Sequence, residues 1–276
     1  MTRTLRTLLL GLLVLALGAC QMTPLVGKEG PPGPERLQRI LESGELRVGL
    51  SGNQPPLNMR NKRGEIIGFE VDLVKALANS MGLEVRLVPR PFAELLPALE
   101  KGDVDLVISG MTITPERNAR VAFAGPYFIS GKSVLTKSEM IANVTSTTEL
   151  DDPSRRYAAL AGSTSEKFVK DVLPRSELVT TPDYDTAVKM VIDDQVDALV
   201  ADYQICTLSV WRHPEEGLSA LMTPFTLEPL GIALPPDAPL LVNLVENYLD
   251  MLEYSALLTT FKAKWLSNGS WVSELP

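Results

Sequence analysis

The sequence predicts an α/β protein built from two lobes of similar plan. Residues 92–110 (FAELLPALEKGDVDLVISG) can be laid without a gap on residues 184–202 (YDTAVKMVIDDQVDALVAD). Each copy gives an aromatic residue, an apolar pattern of helical period, an acidic turn and a buried strand that ends at a polar position. About 240 residues follow the N-terminal leader and tether, enough for one large or two smaller domains. A repeated helix and strand in such a chain predicts two α/β lobes.

Residues 1–19 have the features of a cleaved secretory signal peptide. Arg3 and Arg6 precede an apolar run, residues 8–19, which is shorter than the about 20 residues that a membrane-spanning helix needs. The sequence LGA leads into Cys20 in the manner of a lipobox, which implies cleavage before Cys20 and diacylation of its thiol. Ordinary secretion with an incidental cysteine is the alternative.

The segment that follows and the net charge limit the possible partners. Residues 20–34 are rich in proline and glycine and predict a flexible tether between the lipid and the folded part. Removal of residues 1–19 takes two of the 26 basic residues and none of the 34 acidic ones, which leaves 24 basic residues and a net charge of about −10. This charge argues against nucleic acid as a partner.

Cysteine and histidine are scarce, which limits the chemistry. With Cys20 acylated, only Cys206 remains, and no intramolecular disulfide can form. The single His213 has no partners at the spacing of a zinc site or of a Ser-His-Asp or Cys-His set. We therefore expect neither a metal nor another cofactor.

Taken in order, the chain alternates helices and strands, assigned from apolar period and from bounding Gly, Pro and polar turns. The predicted helices are 35–43, 70–81, 92–101, 239–254 and 257–266, and the predicted strands are 45–50, 83–88, 104–108, 157–160 and 232–234. The loop 51–57 lies at the carboxyl end of the first strand, where open α/β sheets bind ligands. Residues 128–132 and 225–231 are extended, lie near Gly or Pro, and are predicted to cross between the lobes as a hinge.

A candidate anion site follows the strand 104–108. Thr114 is a good N-cap and Pro115 suits the first helical position, so a helix is predicted to begin here with Arg117 near its start. The Arg117 guanidinium, with the Thr112 hydroxyl and the Gly110 backbone close by, can grip a carboxylate bidentately. A surface arginine paired with a neighbouring acid, Glu116 or Asp103, is the alternative.

The second copy of the repeat supplies a complementary group. Gly110 of the first copy corresponds to Asp202, so both strands would end facing the cleft between the lobes. Asp202 can accept hydrogen bonds from an ammonium, or it can simply cap the helix that follows. Ser163 and Glu166 fit a capping box, whose helix start directs N–H groups toward an anion, although a plain N-cap explains the same residues.

The stretch SGMTITPERNARVAFAGPY, residues 109–127, resembles the signature of the amino-acid-binding family of bacterial extracellular solute-binding proteins, the receptors of polar amino acid ABC importers. The similarity extends from about Leu37 to the C-terminal helix. It implies the periplasmic-binding-protein type II fold, in which two α/β sandwich lobes are joined by a two-stranded hinge. We expect residues 35–129 and 232–276 in the first lobe and residues 130–231 in the second.

The resemblance also implies roles for individual residues. Arg117 would hold the ligand's α-carboxylate, helped by Gly110 and Thr112, and Asp202 would bind its α-amino group. From the second lobe, Ser163 and Thr164 would meet the carboxylate. The Phe92 ring would cover the ligand's aliphatic part, with a place in the apolar core as the alternative. Ser51 and Gln54 occupy positions where members with basic ligands carry an acid and an aromatic residue, so arginine and lysine are less favoured than a neutral or polar amino acid.

The function expected from the resemblance is a monomeric, non-enzymatic receptor in the periplasm or at the cell surface, anchored to a membrane by lipid on Cys20. It would capture one free amino acid and pass it to an ABC permease in the inner membrane. The rival is an enzyme similar to the cyclohexadienyl dehydratases, which act on prephenate or arogenate and share this fold. An enzyme would need a carboxylic acid of raised pKa in the cleft, for which Glu166 is the candidate. A sensory module is a third possibility.

Overall fold

Two five-stranded sheets form the centre of the computed structural model, which describes residues 36–267 and 269–275. The predicted signal peptide, Cys20 and the tether lie outside these residues. Among the described helices, none is both long and apolar enough to cross a membrane.

Helices and strands alternate along most of the chain, as the apolar pattern predicts. The α-helices are α1 (Arg36–Ser43), α2 (Phe69–Ser80), α3 (Leu95–Lys101), α4 (Pro115–Asn118), α5 (Glu139–Ala142), α6 (Thr164–Val172), α7 (Tyr184–Ile192), α8 (Tyr203–Arg212), α9 (Pro239–Tyr254) and α10 (Leu257–Lys262). The strands are β1 (Glu45–Leu50), β2 (Asn53–Gln54), β3 (Asn58–Arg60), β4 (Ile66–Ile67), β5 (Glu84–Pro89), β6 (Leu106–Val107), β7 (Ala122–Ser130), β8 (Lys132–Thr136), β9 (Arg156–Leu160), β10 (Glu177–Thr181), β11 (Ala198–Asp202), β12 (Ser219–Ala220) and β13 (Glu228–Leu234).

The two large sheets share a strand plan. The first has the order β5-β1-β6-β13-β7, and the second has the order β10-β9-β11-β8-β12. In each sheet the first three strands run parallel and the next one, β13 or β8, is antiparallel to its neighbour. Strands β2, β3 and β4 form a small third sheet. The predicted α/β class with two similar sheets is therefore confirmed.

The sequence repeat has a direct structural counterpart in its two Val-Asp pairs. The Asp105 carboxylate accepts a hydrogen bond from the Arg47 backbone N–H at 2.9 Å, at the start of β1. The Asp197 carboxylate does the same for the Arg156 N–H at 2.7 Å, at the start of β9. Each aspartate thereby ties its own strand to the parallel neighbour, which explains why the pair recurs at the same place in both copies.

Four predicted elements differ by more than one residue from the observed ones, and the strand predicted over 104–108 is only Leu106–Val107. The helix predicted over 92–101 begins as a 3-10 turn, Phe92–Glu94, and becomes α-helical at Leu95. A helix beginning at Phe92 would place Pro97 in its interior, where the missing N–H breaks a hydrogen bond, whereas in α3 it lies in the first turn. The strand predicted over 232–234 already begins at Glu228, and the last helix continues beyond Lys262 as a π-helical turn, Ala263–Ser267.

The two predicted crossover segments run side by side. Strand β13 pairs with β7 in antiparallel fashion, with Glu228 opposite Ser130. Just beyond, the Lys132 N–H donates to Thr226 Oγ1 at 3.0 Å, and the Phe225 N–H donates to the Lys132 carbonyl at 2.8 Å. A Cβ atom on Gly131 would lie 2.2 Å from the Thr226 carbonyl oxygen, so this close approach requires glycine.

The C-terminal tail packs on α2. Trp265 is buried, and its indole N–H donates to the Asp72 carboxylate at 2.7 Å. Trp271, to which the sequence pattern assigns no role, donates its indole N–H to the Trp265 carbonyl at 3.0 Å, and the two ring centroids lie 5.6 Å apart. The tail is therefore an integral part of the first sheet's apolar core.

Candidate functional site

Arg117 lies in α4, where the segment that follows β6 of the first sheet meets the loop that follows β9 of the second sheet. Thr114 caps α4 as predicted, because its hydroxyl accepts the Arg117 N–H at 3.2 Å. One guanidinium nitrogen donates to the Thr112 carbonyl at 2.8 Å, and the other terminal nitrogen donates to the Gly162 carbonyl at 3.1 Å. Arginine has five N–H donors, so these two bonds leave three for a carboxylate.

The surroundings of Arg117 differ from those of a surface ion pair. Its guanidinium carbon lies 5.7 Å from the centre of the Phe92 ring, in a cation–π arrangement. Burial lowers the pKa of Arg117, while the charges of Glu228 and Asp202 oppose that shift, and the guanidinium stays charged. Arg117 makes no ion pair with Glu116 or Asp103 in the described structure, where Asp103 lies 3.6 Å from Arg90. Arg117 is thus a partly buried cation between two loops.

The second loop supplies Ser163 and Thr164. The Thr164 hydroxyl lies 3.3 Å from the Thr112 hydroxyl, so the two loops touch. The Ser163 hydroxyl accepts the Glu166 N–H at 3.2 Å and donates to the Leu160 carbonyl at 2.6 Å, which makes it the N-cap of α6. Only half of the predicted capping box forms, because the Glu166 carboxylate accepts the Gly162 N–H at 2.6 Å instead of the Ser163 N–H.

Gly110 is held from below by a fully buried carboxylate, Glu70. The Gly110 N–H donates to Glu70 Oε1 at 2.7 Å, so this N–H is directed into the protein and away from a ligand. The Asn58 amide donates to Glu70 Oε2 at 2.6 Å, and the Tyr127 hydroxyl also donates to Glu70. Burial raises the pKa of Glu70, and these three hydrogen bonds oppose the rise. Glu70 therefore fixes the loop that carries Gly110 and Thr112.

Ser51 and Gln54 belong to a network of polar side chains next to this loop. The Ser109 hydroxyl lies 2.5 Å from Gln54 Oε1 and accepts the Ser51 N–H at 3.0 Å. The Ser51 hydroxyl donates to Asn58 Oδ1 at 3.2 Å. Gln54 is 2% exposed. Its side-chain amide therefore helps to hold the loop in place and leaves little surface for a ligand.

Asp202 is paired with a lysine that the sequence pattern did not single out. Lys132, 2% exposed, places its Nζ 2.6 Å from Asp202 Oδ1 and 3.8 Å from Glu228 Oε2. Asp202 occupies the N-cap position of α8 but makes no side-chain cap hydrogen bond there, so the capping alternative does not describe it. The carboxylate expected to receive a ligand ammonium thus already holds one ammonium, that of Lys132.

Glu228 and Tyr184 are two further polar neighbours that pattern reasoning missed as site residues. The Thr226 hydroxyl donates to Glu228 Oε1 at 3.0 Å. Burial raises the pKa of Tyr184 well above its usual value, and the Asp202 charge adds to the rise, so the phenol stays neutral. The sequence gives one indication of Lys132 and Glu228: each is the single charged residue of its predicted crossover segment, 128–132 or 225–231.

A cavity of about 650 Å³ opens beside Arg117. Its lining includes the predicted residues Phe92, Arg117, Ser163 and Thr164. Asp202, Thr112, Gly110, Ser51 and Gln54 do not line it. Arg117 connects the two groups of residues, because it lines the cavity and its pKa is affected by the charges of Asp202 and Glu228. The volume falls in the range of small-molecule sites.

Residues 36–267 and 269–275 contain no group of three His, Cys, Asp or Glu side chains placed to hold a metal. Burial raises the pKa of the Cys206 thiol to about 12, so this thiol stays protonated near neutral pH.

The chain is similar to known proteins over most of its length. The sequence profile of the bacterial extracellular solute-binding proteins, family 3, matches residues 46–268. The chain is 30% identical to the cyclohexadienyl dehydratase of Pseudomonas aeruginosa over 231 residues, which cover 84% of this chain and 86% of that protein. It is 28% identical to ABC transporter arginine-binding protein 1 of Escherichia coli, with 80% of this chain and 90% of that protein covered.

Solved structures match over a similar extent. A binding component of an ABC transporter from Wolinella succinogenes, complexed with lysine, superposes with a TM-score of 0.78 at 32% identity. The match covers 83% of this chain and 99% of that one. The family match, residues 46–268, spans every described residue of the candidate site.

Proposed function

Because the chain belongs to the bacterial extracellular solute-binding proteins of family 3, we propose that it captures a free amino acid between two lobes for an ABC importer. The observation that carries the proposal is the position of Arg117. Its guanidinium is held by the Thr112 carbonyl on one side and the Gly162 carbonyl on the other, with three donors left to grip a carboxylate. Such a cation attracts the α-carboxylate that every amino acid ligand carries.

The proposed lobes are residues 35–129 with 232–276, and residues 130–231. The contact between the Thr112 and Thr164 hydroxyls supports closure of these lobes, since it joins a loop of one proposed lobe to a loop of the other. The paired crossovers, 128–132 and 225–231, are the proposed hinge. Closure is then a population shift driven by contacts that only the closed form makes.

In the bound form, Arg117 would hold the ligand carboxylate, with Ser163 and Thr164 beside it and the Phe92 ring against the ligand's apolar part. Lys132 occupies Asp202 Oδ1, so Asp202 Oδ2 and Glu228 are the acceptors proposed for the ligand ammonium. Affinity would come from these charge pairs as closure removes water from them.

A dehydratase is the second candidate, favoured by the 30% identity to the enzyme of Pseudomonas aeruginosa. Its chemistry needs a carboxylic acid that stays protonated near neutral pH. Burial alone would raise the pKa of Glu166, but hydrogen bonds from Lys170 Nζ and the Gly162 N–H together lower it. Glu166 lines the cavity, but these hydrogen bonds favour its charged form, which supports the receptor over the enzyme.

Thermal unfolding against each of the common amino acids and prephenate tests the proposal. A ligand at 100 times its dissociation constant should stabilise the protein by about 2.7 kcal/mol. We expect a clear rise in melting temperature with one or a few amino acids, each recovered unchanged. No response to any amino acid, or a response to prephenate with product formed, would contradict the receptor and favour the enzyme.

Anchoring through a lipid on Cys20 is part of the same proposal, together with a permease partner in the inner membrane. A Cys20→Ser variant removes the thiol that would be acylated, so we expect it to move from the detergent phase to the aqueous phase on Triton X-114 partitioning of expressing cells. A Cys206→Ser variant, which changes the buried thiol, should stay with the detergent. Equal partitioning of the Cys20→Ser variant and the wild type would refute the anchor.

A further inference from the structure

We propose that Lys132 is the residue that restricts the site to amino acids without net charge, because it neutralises one of two acids that would otherwise both be offered to the ligand. The inference rests on the proposed function and adds the charge class of the ligand to it. It depends on four charged side chains grouped in the described structure: Arg117, Lys132, Asp202 and Glu228.

The grouping is set by distances and burial. Lys132 Nζ lies 2.6 Å from Asp202 Oδ1 and 3.8 Å from Glu228 Oε2. The side chains of Lys132, Asp202 and Glu228 are 2%, 7% and 12% exposed. Glu228 and Asp202 contribute the two largest charge effects on the pKa of Arg117. Lys132, Asp202 and Glu228 therefore act on one another with little screening by water, and the partly buried Arg117 is near enough to be affected by both acids.

The group contains two cations and two anions, so it is balanced before a ligand arrives. A zwitterionic amino acid with a neutral side chain brings one charge of each sign and keeps the balance. Arginine or lysine brings an extra cation, which would need a third acid. Ser51 and Gln54, in the polar network next to the Gly110 loop, supply a hydroxyl and an amide and no charge. An acidic side chain brings an extra anion. The further cations that line the cavity are each already paired with an acid: Arg120 with Glu100, Lys167 with Asp171 and Lys170 with Glu166.

Two other titratable neighbours do not change this account. Tyr184 is buried and neutral. Glu70 is fully buried below Gly110, and its carboxylate accepts hydrogen bonds from Gly110, Asn58 and Tyr127, so a ligand cannot touch it. Its charge is common to every variant considered below and cancels when their ligand preferences are compared.

The test is a set of titrations by calorimetry with L-glutamine, L-arginine and L-glutamate, which have similar length and differ in charge. The variants are Lys132→Met, Glu228→Gln and the combination of the two. The matched control is Lys137→Met: Lys137 directly follows the same strand, is about one-third exposed and pairs with Asp194. This control removes the same charge outside the group.

We expect the wild type to bind glutamine more tightly than arginine or glutamate. In Lys132→Met, the ratio of the dissociation constants should shift toward arginine by about tenfold to hundredfold, as a unit charge about 6–12 Å from the ligand side chain at an effective dielectric constant of about 20 implies. Glu228→Gln should shift preference by a similar factor away from arginine and toward glutamate. In the double variant the cations and anions of the group are again equal in number, so it should again bind glutamine most tightly.

Several outcomes would overturn the inference: a wild type that prefers arginine or glutamate, a Lys132→Met ratio within twofold of that of Lys137→Met, or a double variant that does not return to glutamine. If Lys132→Met fails to fold, the shift in Glu228→Gln decides alone. A wild type that binds no amino acid would refute the proposed function itself, whereas binding without these shifts would refute only the role of Lys132.

Discussion

Replacing Arg117 by alanine is expected to weaken amino acid binding by a factor of about thirty to several thousand. The guanidinium would be one partner of a desolvated charge pair with the ligand carboxylate, and truncating one partner of such a pair costs about 2–5 kcal/mol. Each 1.4 kcal/mol corresponds to about a factor of ten in affinity. Calorimetric titration of the amino acid that stabilises the wild type most would measure the loss.

The matched control is Arg120→Ala. Arg120 lies three residues further along and lines the same cavity, but it pairs with Glu100 at 2.8 Å, with about half of its side chain exposed. Exposed pairs of this kind contribute about 0–1 kcal/mol, so binding should stay within a few-fold of the wild type. Equal affinity in Arg117→Ala and Arg120→Ala would mean that Arg117 does not hold the ligand.

Replacing Glu70 by alanine is expected to give the largest loss of stability among single changes near the site. The change removes the acceptor of three buried donors, the Gly110 N–H, the Asn58 amide and the Tyr127 hydroxyl. Each unsatisfied buried donor costs about 1–3 kcal/mol, and we expect the free energy of unfolding to fall by about 3–5 kcal/mol. For a chain of this size the melting temperature should drop by about 6–20 °C.

Glu65→Ala is the control for Glu70→Ala, because Glu65 lies in the preceding turn with its side chain more than half exposed. Glu65 accepts hydrogen bonds from Asn61 and Arg63, and its effect should stay within about 1 kcal/mol. Glu70→Gln keeps the shape and one carbonyl acceptor, so its loss should fall between the two. Binding should also weaken in Glu70→Ala, since the Gly110 loop loses its support. Melting curves that coincide for Glu70→Ala and Glu65→Ala would refute this role of Glu70.

Local sequence patterns predict the parts of this fold that depend on local chemistry. The helix predicted over 239–254 has the observed bounds, because a proline opens it and its apolar residues keep a helical period. The Thr114 cap before Arg117 is also a local event, settled within four residues. The repeat predicts the shared plan of the two sheets because both copies need the same strand-to-strand ties at Asp105 and Asp197.

Contacts between distant segments are harder to predict from such patterns. Lys132 meets Asp202 and Glu228 only because strands far apart in sequence are neighbours in the fold. The direction of the Gly110 N–H depends on Glu70, forty residues earlier, and on nothing in its own loop. Trp271 is positioned by its hydrogen bond to the Trp265 carbonyl, and Trp265 is in turn bound to Asp72 of α2. In each case the deciding partner lies outside the window in which periodicity and capping act.

Native mass spectrometry of the protein with the amino acid that stabilises it most tests the central claim most directly. We predict one amino acid bound per chain, released on denaturation with its mass unchanged, and no such complex for Arg117→Ala at the same concentration. Absence of a complex with every common amino acid, or release of a ligand whose mass has changed, would contradict a receptor that holds its ligand by Arg117 and does no chemistry on it.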